Sequence, residues 1–145
     1  MTTPVFDDQK PEHQKALGKL ANDQIAWFGS VRPDGQPHVA PIWFLWQDGQ
    51  ILIFSEEKTQ KIRNLRHANK VVVHLESGGN GSDVVIINGT AEISGEDTAA
   101  WLRRVGDAYQ TKYADGLRGM GQTLEQMSTQ FTQVIVVTPT KLMAW

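Results

Sequence analysis

The stretch PHVAPIWFLW, Pro37 to Trp46, limits what this chain can fold into more than any other part of it. At the two-residue period of a strand, Val39, Pro41, Trp43 and Leu45 fall on one face and Ala40, Ile42, Phe44 and Trp46 on the other. Neither face is polar. A strand with water on one side alternates apolar with polar residues, so this one needs a cover on both. Pro41 adds a second demand: it has no N–H to give a ladder, so it belongs at an edge, a bulge or a place where the neighbouring strand has separated. A separation beside Trp43 and Phe44 makes a slot bounded by backbone and flat side chains, a shape that accepts planar rings. A large core or a subunit interface would use the same aromatics.

The flanking runs QIAWFGSV and QILIFS are strand-like too. They connect to PHVAPIWFLW through RPDGQ and QDGQ, and each connection carries Asp-Gly, a hairpin signal because glycine accepts the positive φ of a tight turn. The three runs predict an antiparallel meander. KVVVHLE, DVVIINGTAEI and TQVIVVTP bring the strand count to six, and in the second of these Val85, Ile87, Ala91 and Ile93 oppose Asn88, Thr90 and Glu92. Helices are predicted for PEHQKALGKLA, with Pro11 in the first turn, and for TQKIRNLRHA, with Ile62 and Leu65 inward. EDTAAWLRRVGDAYQTKY is a third, from the spacing of Trp101, Val105 and Tyr109, and TLEQMSTQF a fourth; Gly116, Gly119 and Gly121 break up what lies between. TKLMAW is a tail after the last strand. Together these predict one mainly β (α+β) domain over residues 1–145, a small antiparallel barrel or sandwich with helices at its margins.

With 145 residues, 40% hydrophobic, such a domain buries roughly two thirds of its unfolded surface and needs no staple. It contains no cysteine, which removes thiol nucleophiles and thiolate metal sites and fits a reducing compartment. The start, MTTPVFDDQKPEHQKA, lacks the basic and apolar segments of a secretory signal, and no run approaches the roughly 20 apolar residues of a membrane span. A soluble cytoplasmic protein without a membrane partner is expected. A net charge of −2 argues against a general nucleic-acid binder. GxSxG, HExxH and P-loop motifs are absent, and His13, His38, His67 and His74 show no metal-ligand spacing. His38 is read as solvated and His74 as structural rather than a ligand; Gly78, Gly79 and Gly81 read as a flexible loop.

Basic residues concentrate at Lys58, Lys61, Arg63, Arg66, His67 and Lys70. Lys58 and Lys61, three apart at a helix start, can share a face beside free N–H groups and the positive end of the dipole, an arrangement that suits a phosphate. The same spacing is also that of a solvated helix face.

With these residues in view, the chain from about Ala26 to Ile93 resembles the pyridoxamine 5'-phosphate oxidase-like split-barrel proteins, above all the branch that uses the deazaflavin coenzyme F-420. RPDGQPHVAPIWF and KIRNLR carry the likeness most specifically, with VVIINGTAEI following in the family's order and KLMAW at the close. The resemblance implies a six-stranded antiparallel split β-barrel with flanking helices, dimeric, with two cofactor sites in grooves between the subunits of a homodimer. The core would then cover one face of PHVAPIWFLW, and cofactor and partner the other. It further implies that Val39, Ala40, Pro41, Ile42 and Trp43 run along the cofactor ring. Ser55, Lys58 and Lys61 would hold its phosphate, and Arg63 and Asn64 match the pattern around them, in service of the ligand or of the helix and its packing. Asn88, Trp101 and Trp145 would reach the groove from the partner chain. The implied function is an oxidoreductase that passes hydride between F-420 or FMN and a small unsaturated or quinone-like substrate, with no catalytic side chain and no metal. The alternative is a non-catalytic carrier or sensor of a planar ligand such as a tetrapyrrole, which related split barrels bind. The chain stops at TPTKLMAW, without the arginine-containing segment of true pyridoxamine phosphate oxidases, so vitamin B6 oxidation is not expected.

Overall fold

Both Asp-Gly turns form hairpins in the computed structural model, which describes residues 5–145. Gly35 and Gly49 take φ of 89° and 76°, and Asp48 takes 52°. The first turn joins β1 (Ile25–Val31) to β2 (Pro37–Trp43), and the second joins β3 (Leu45–Gln47) to β4 (Gln50–Ser55). The remaining strands are β5 (Lys70–Leu75), β6 (Val85–Ile93) and β7 (Gln133–Ala144). The helices are α1 (Pro11–Asn22), α2 (Gln60–Leu65), α3 (Thr98–Met120) and α4 (Leu124–Gln130). All pairings are antiparallel, in the order β2-β1-β5-β6-β7-β4-β3. The fold is mainly β with helices at its margins, as expected.

The strand count is seven rather than six because PHVAPIWFLW breaks at Phe44. Before that residue the chain pairs with β1, and after it with β4, so the expected meander is interrupted. β2 and β3 therefore stand at opposite ends of the sheet while one residue separates them in the chain. The sheet has to curl until its two edges meet at Phe44, and Pro41 lies on one of those edges, where a missing N–H costs nothing.

Two hydrophobic cores follow from the curl. The inner one gathers Ala26, Phe28, Ile42, Phe44, Ile51, Ile53, Val73, Ile87 and Ile135, and is plugged by Ala16 and Leu20 of α1 and Ile62 of α2. The other lies on the outside of β4 and β7, where Leu52, Phe54, Val134 and Val136 pack under Val105, Tyr109, Tyr113, Leu117 and Met127 of α3 and α4. β4 and the Val134–Val137 part of β7 are buried on both faces, which explains why QILIFS and VIVV read as unbroken apolar runs.

The two-sided strand divides between these cores. Ile42, Phe44 and Trp46 belong to the inner core, and Trp43 and Leu45 to the outer one. Part of the second face is thus covered by the chain's own α3. Val39 and Pro41, on that same face, lie beyond the helix and are exposed, Val39 at 53%. The register sets Pro41, Trp27, His74, Ile86 and Met143 in one row across five strands, and Val39, Gly29, Val72, Asn88 and Lys141 in the next.

Two further expectations are corrected. α3 does not stop at Tyr113 but runs through Gly116 and Gly119 to Met120, because the apolar stripe continues at Tyr113 and Leu117. The break comes at Gly121, whose φ of 68° caps the helix, while Tyr113 marks a kink with φ −113° and ψ 19°. The last strand absorbs most of the supposed tail: Ile86, Ile87 and Asn88 of β6 pair with Met143, Leu142 and Lys141, past a bulge at Asn88 and Gly89. Among the described residues no helix is long and apolar enough to cross a membrane.

Candidate functional site

At Phe44 the strand changes partners, and its N–H and C=O have no ladder to join. α3 supplies the replacement. The Phe44 N–H donates to the Tyr113 hydroxyl at 2.8 Å. The Phe44 carbonyl accepts from Lys112 Nζ at 2.8 Å. The Tyr113 hydroxyl lies 2.6 Å from the Gln24 carbonyl and 2.9 Å from that of Phe44; it has one proton, and because Lys112 already serves Phe44, Gln24 is the better acceptor. Burial pulls the Lys112 amine down to about 8, and burial likewise raises the Tyr113 hydroxyl above its ordinary range. Two side chains of one helix turn thus hold the seam of the sheet.

Beside this seam opens a cleft of about 270 Å³, lined by Pro41, Ile42, Trp43, Phe54, Lys61, Tyr109, Met120, Met127 and Phe131. The aromatic residues of its wall are linked through Tyr113, buried behind them. Trp43 lies parallel to Tyr113, with centroids 4.5 Å apart and planes within 6°. Tyr113 meets Tyr109 at 4.8 Å, and Tyr109 meets Phe54 at 4.9 Å. Met120 is the last residue of α3, and Met127 and Phe131 come from α4 and its C-cap.

Lys61 is the one charged residue of this lining. It is half-buried, and desolvation lowers its pKa while the charge of the Glu56 carboxylate acts in the opposite direction. Among the described residues its ammonium has no salt-bridge partner. Glu56 itself accepts from Gln130 at 2.7 Å, which ties it to α4. A flat-walled apolar cleft with a half-buried amine outside any salt bridge suits a planar ligand with an anionic group.

Of the residues singled out in the sequence, Pro41, Ile42, Trp43 and Lys61 come together here. Val39 and Ala40 continue along β2 outside the cleft. Ser55 is buried, its hydroxyl donating to the Glu56 carbonyl at 2.9 Å and lying 3.1 Å from Thr59 Oγ1. Lys58 is exposed in the turn before α2 rather than on the helix, whose N-cap Thr59 already accepts from the Ile62 N–H. Arg63 is exposed and donates to Gln60 Oε1. Asn64 is fully buried, donating to Ser30 Oγ at 3.0 Å and accepting from Gln60 at 2.7 Å, so it docks α2 onto β1. Asn88 stands on the uncovered sheet face in the row of Val39, about 14 Å away by three strand spacings. Trp101 packs beside Ser94, to which its indole donates at 2.9 Å, and the exposed Trp145 donates to the Gly81 carbonyl; neither lines the cleft. His38 is half-buried rather than solvated, and its Nδ1 has no hydrogen-bond partner.

Sequence reasoning missed Phe54, Tyr109, Met120, Met127 and Phe131 as lining. The available signal was the four-residue stripe of α3, which runs on through Tyr113 and Leu117 and brings Met120 to the same end.

The description pyridoxamine 5'-phosphate oxidase belongs to the family model that matches residues 11–145. No curated protein matches the chain. Among solved structures, a conserved hypothetical protein from Mycobacterium tuberculosis is 26% identical, with 99% of this chain and 89% of that one covered at a TM-score of 0.75. An F-420 reductase is 24% identical, covering 87% of this chain and 94% of that one at 0.65. The heme storage protein HutZ from Vibrio cholerae shares 13% identity and the fold, covering 93% and 95% at 0.69. The family match over almost the whole length, on a curled antiparallel sheet with a cleft at its seam, shows that this chain belongs to the pyridoxamine 5'-phosphate oxidase family.

Proposed function

We propose that this protein is an oxidoreductase that binds F-420 or FMN at the seam, between two copies of the chain. The observation that carries this reading is the cleft that joins Pro41, Ile42 and Trp43 of an edge strand to the half-buried amine of Lys61. The flat walls fit a tricyclic ring and the amine fits its phosphate. Ser55 would have to give up its bond to Glu56 to join, whereas Lys58 is free to swing in from its turn. When bound, the cofactor supplies hydride transfer to or from a small unsaturated or quinone-like compound; the chain contributes position and exclusion of water.

Two features support a second copy. The cleft of about 270 Å³ lies at the low end of the roughly 300–1,000 Å³ of ligand pockets, in keeping with a site that a second chain completes. Val31, Val39 and Met143 are exposed on one sheet face, whose rows also carry the half-buried Trp27, Val72 and Ile86. Titrating purified protein with FMN and with F-420, and weighing it by sedimentation, tests both parts. Micromolar binding by a dimer is expected; a monomer that ignores both rings would sink the reading.

A second reading is a non-catalytic carrier of a tetrapyrrole. It draws on the thioethers of Met120 and Met127 at the cleft, which are soft ligands for a bound metal, and on the shared fold with a heme storage protein. It predicts retention of heme with no turnover when a reduced cofactor is supplied.

A further inference from the structure

We infer that Gly116 is a positioning residue for the ring site: it sets the width of the cleft by giving Trp43 room to lie back against α3. The inference rests on the ring-binding reading above. A Cβ on Gly116 would stand 2.7 Å from Cζ2 and Cη2 of Trp43. Carbon atoms pack at about 3.5–4.0 Å, so no side chain fits at 116 with the indole in place. The other glycines inside α3 impose nothing comparable. A Cβ on Gly106 would meet Leu124 at an ordinary 3.6 Å, and one on Gly119 would meet nothing.

Trp43 cannot retreat. Its ring is parallel to Tyr113 at 4.5 Å, and Tyr113 is pinned at the kink of α3 by its bonds to Phe44 and Gln24. The open volume beside the indole is the cleft that it lines with Lys61. A methyl group at 116 therefore pushes Trp43 toward the ligand. Helix propensity gives the opposite sign: Gly116 has no positive φ, and alanine is the better helix former. A loss of binding in Gly116→Ala would thus report the Trp43 contact and not a weakened helix.

The test is FMN titration of wild type, Gly116→Ala, Trp43→Phe and the double variant, with a crystal structure of Gly116→Ala. Gly116→Ala should bind FMN about tenfold more weakly or worse, the usual scale of overpacking, while melting no lower than wild type by more than a few degrees. In the Trp43→Phe background, where the indole atoms that a Cβ at 116 would meet are gone, the same substitution should change affinity by less than about twofold. The crystal should show Trp43 displaced into the cleft. Equal FMN affinity of Gly116→Ala and wild type, or a penalty that persists with Trp43→Phe, overturns the inference. If wild type binds neither FMN nor F-420, the proposed function falls separately, and the crystal decides: Trp43 still parallel to Tyr113 in Gly116→Ala overturns the inference, and a displaced indole supports it.

Discussion

The two cores share strands β4 and β7 yet differ in what encloses them. The inner core is closed on all sides by the curled sheet and by α1 and α2, and apart from Phe28 and Phe44 its buried members are aliphatic. The outer core is roofed by α3 and α4 and is rich in aromatic and thioether groups, with Phe54, Tyr109, Tyr113 and Met127 buried and Trp43 and Phe131 at its margin. The cleft that holds Lys61 lies against the outer core, with Ile42 as the inner core's one residue in its lining. Aliphatic side chains interdigitate and fill space, while flat rings offer broad walls and flexible thioethers adapt to what lies between them. The difference teaches where this small barrel keeps its stability and where it leaves room for a ligand.

Four changes would break or sharpen that contrast. Phe28→Ala, fully buried in the inner core, should cost about 3–5 kcal/mol in urea unfolding. A loss below about 1 kcal/mol would mean that the barrel interior repacks as freely as the cleft. Lys61→Ala should instead spare the fold and cost about 1.5–3 kcal/mol of affinity for FMN or F-420, the worth of a charge-assisted contact. Desolvation already holds this amine below its ordinary pKa, so removing it relieves the folded chain. Unchanged affinity would move the anion site elsewhere.

Tyr113→Phe should destabilise by about 1–2 kcal/mol, since the buried N–H of Phe44 loses its acceptor. Faster amide exchange at Phe44 would localise the effect, and protection equal to wild type would show that the seam does not depend on α3.

The smallest expected effect concerns pH. The Lys112 amine is lowered from 10.5 to about 8 by burial, so between these values the unfolded chain binds more protons than the folded one. Its contribution to stability therefore rises from about pH 8 to 10.5 and is lost as pH falls through 8. Relative to Lys112→Met, wild type should gain stability over that window, by less than about 1 kcal/mol because solvent screens a partly exposed amine. Parallel melting curves at pH 8 and pH 10 would refute this.

Much of this was legible along the chain. The Asp-Gly hairpins, the two faces of PHVAPIWFLW and the inward set of β6 all rest on turn chemistry or a two-residue period, and all stand in the structure. Pro41 pointed to an edge, and an edge is where it lies. The continuation of α3 through Gly116 was not legible, because glycine reads as a breaker unless a bulky neighbour explains it, and that neighbour is Trp43. Asn64 matched a family pattern that could serve ligand or helix packing, and its amide bonds to Ser30 and Gln60.

What the sequence by itself determined is local: where strands run, which residues share a face, where the chain turns and which family it resembles. These follow from backbone periodicity and from residues a few positions apart. Only the tertiary structure decided that Phe44 splits one strand between two sheet edges, that Lys112 and Tyr113 satisfy its orphaned backbone, and that Pro41, Trp43 and Lys61 meet in one cleft. The reason is physical: an unpaired backbone group and a bare apolar face state a need, but which distant segment meets it depends on how the whole sheet curls and on which helix then packs across the opening.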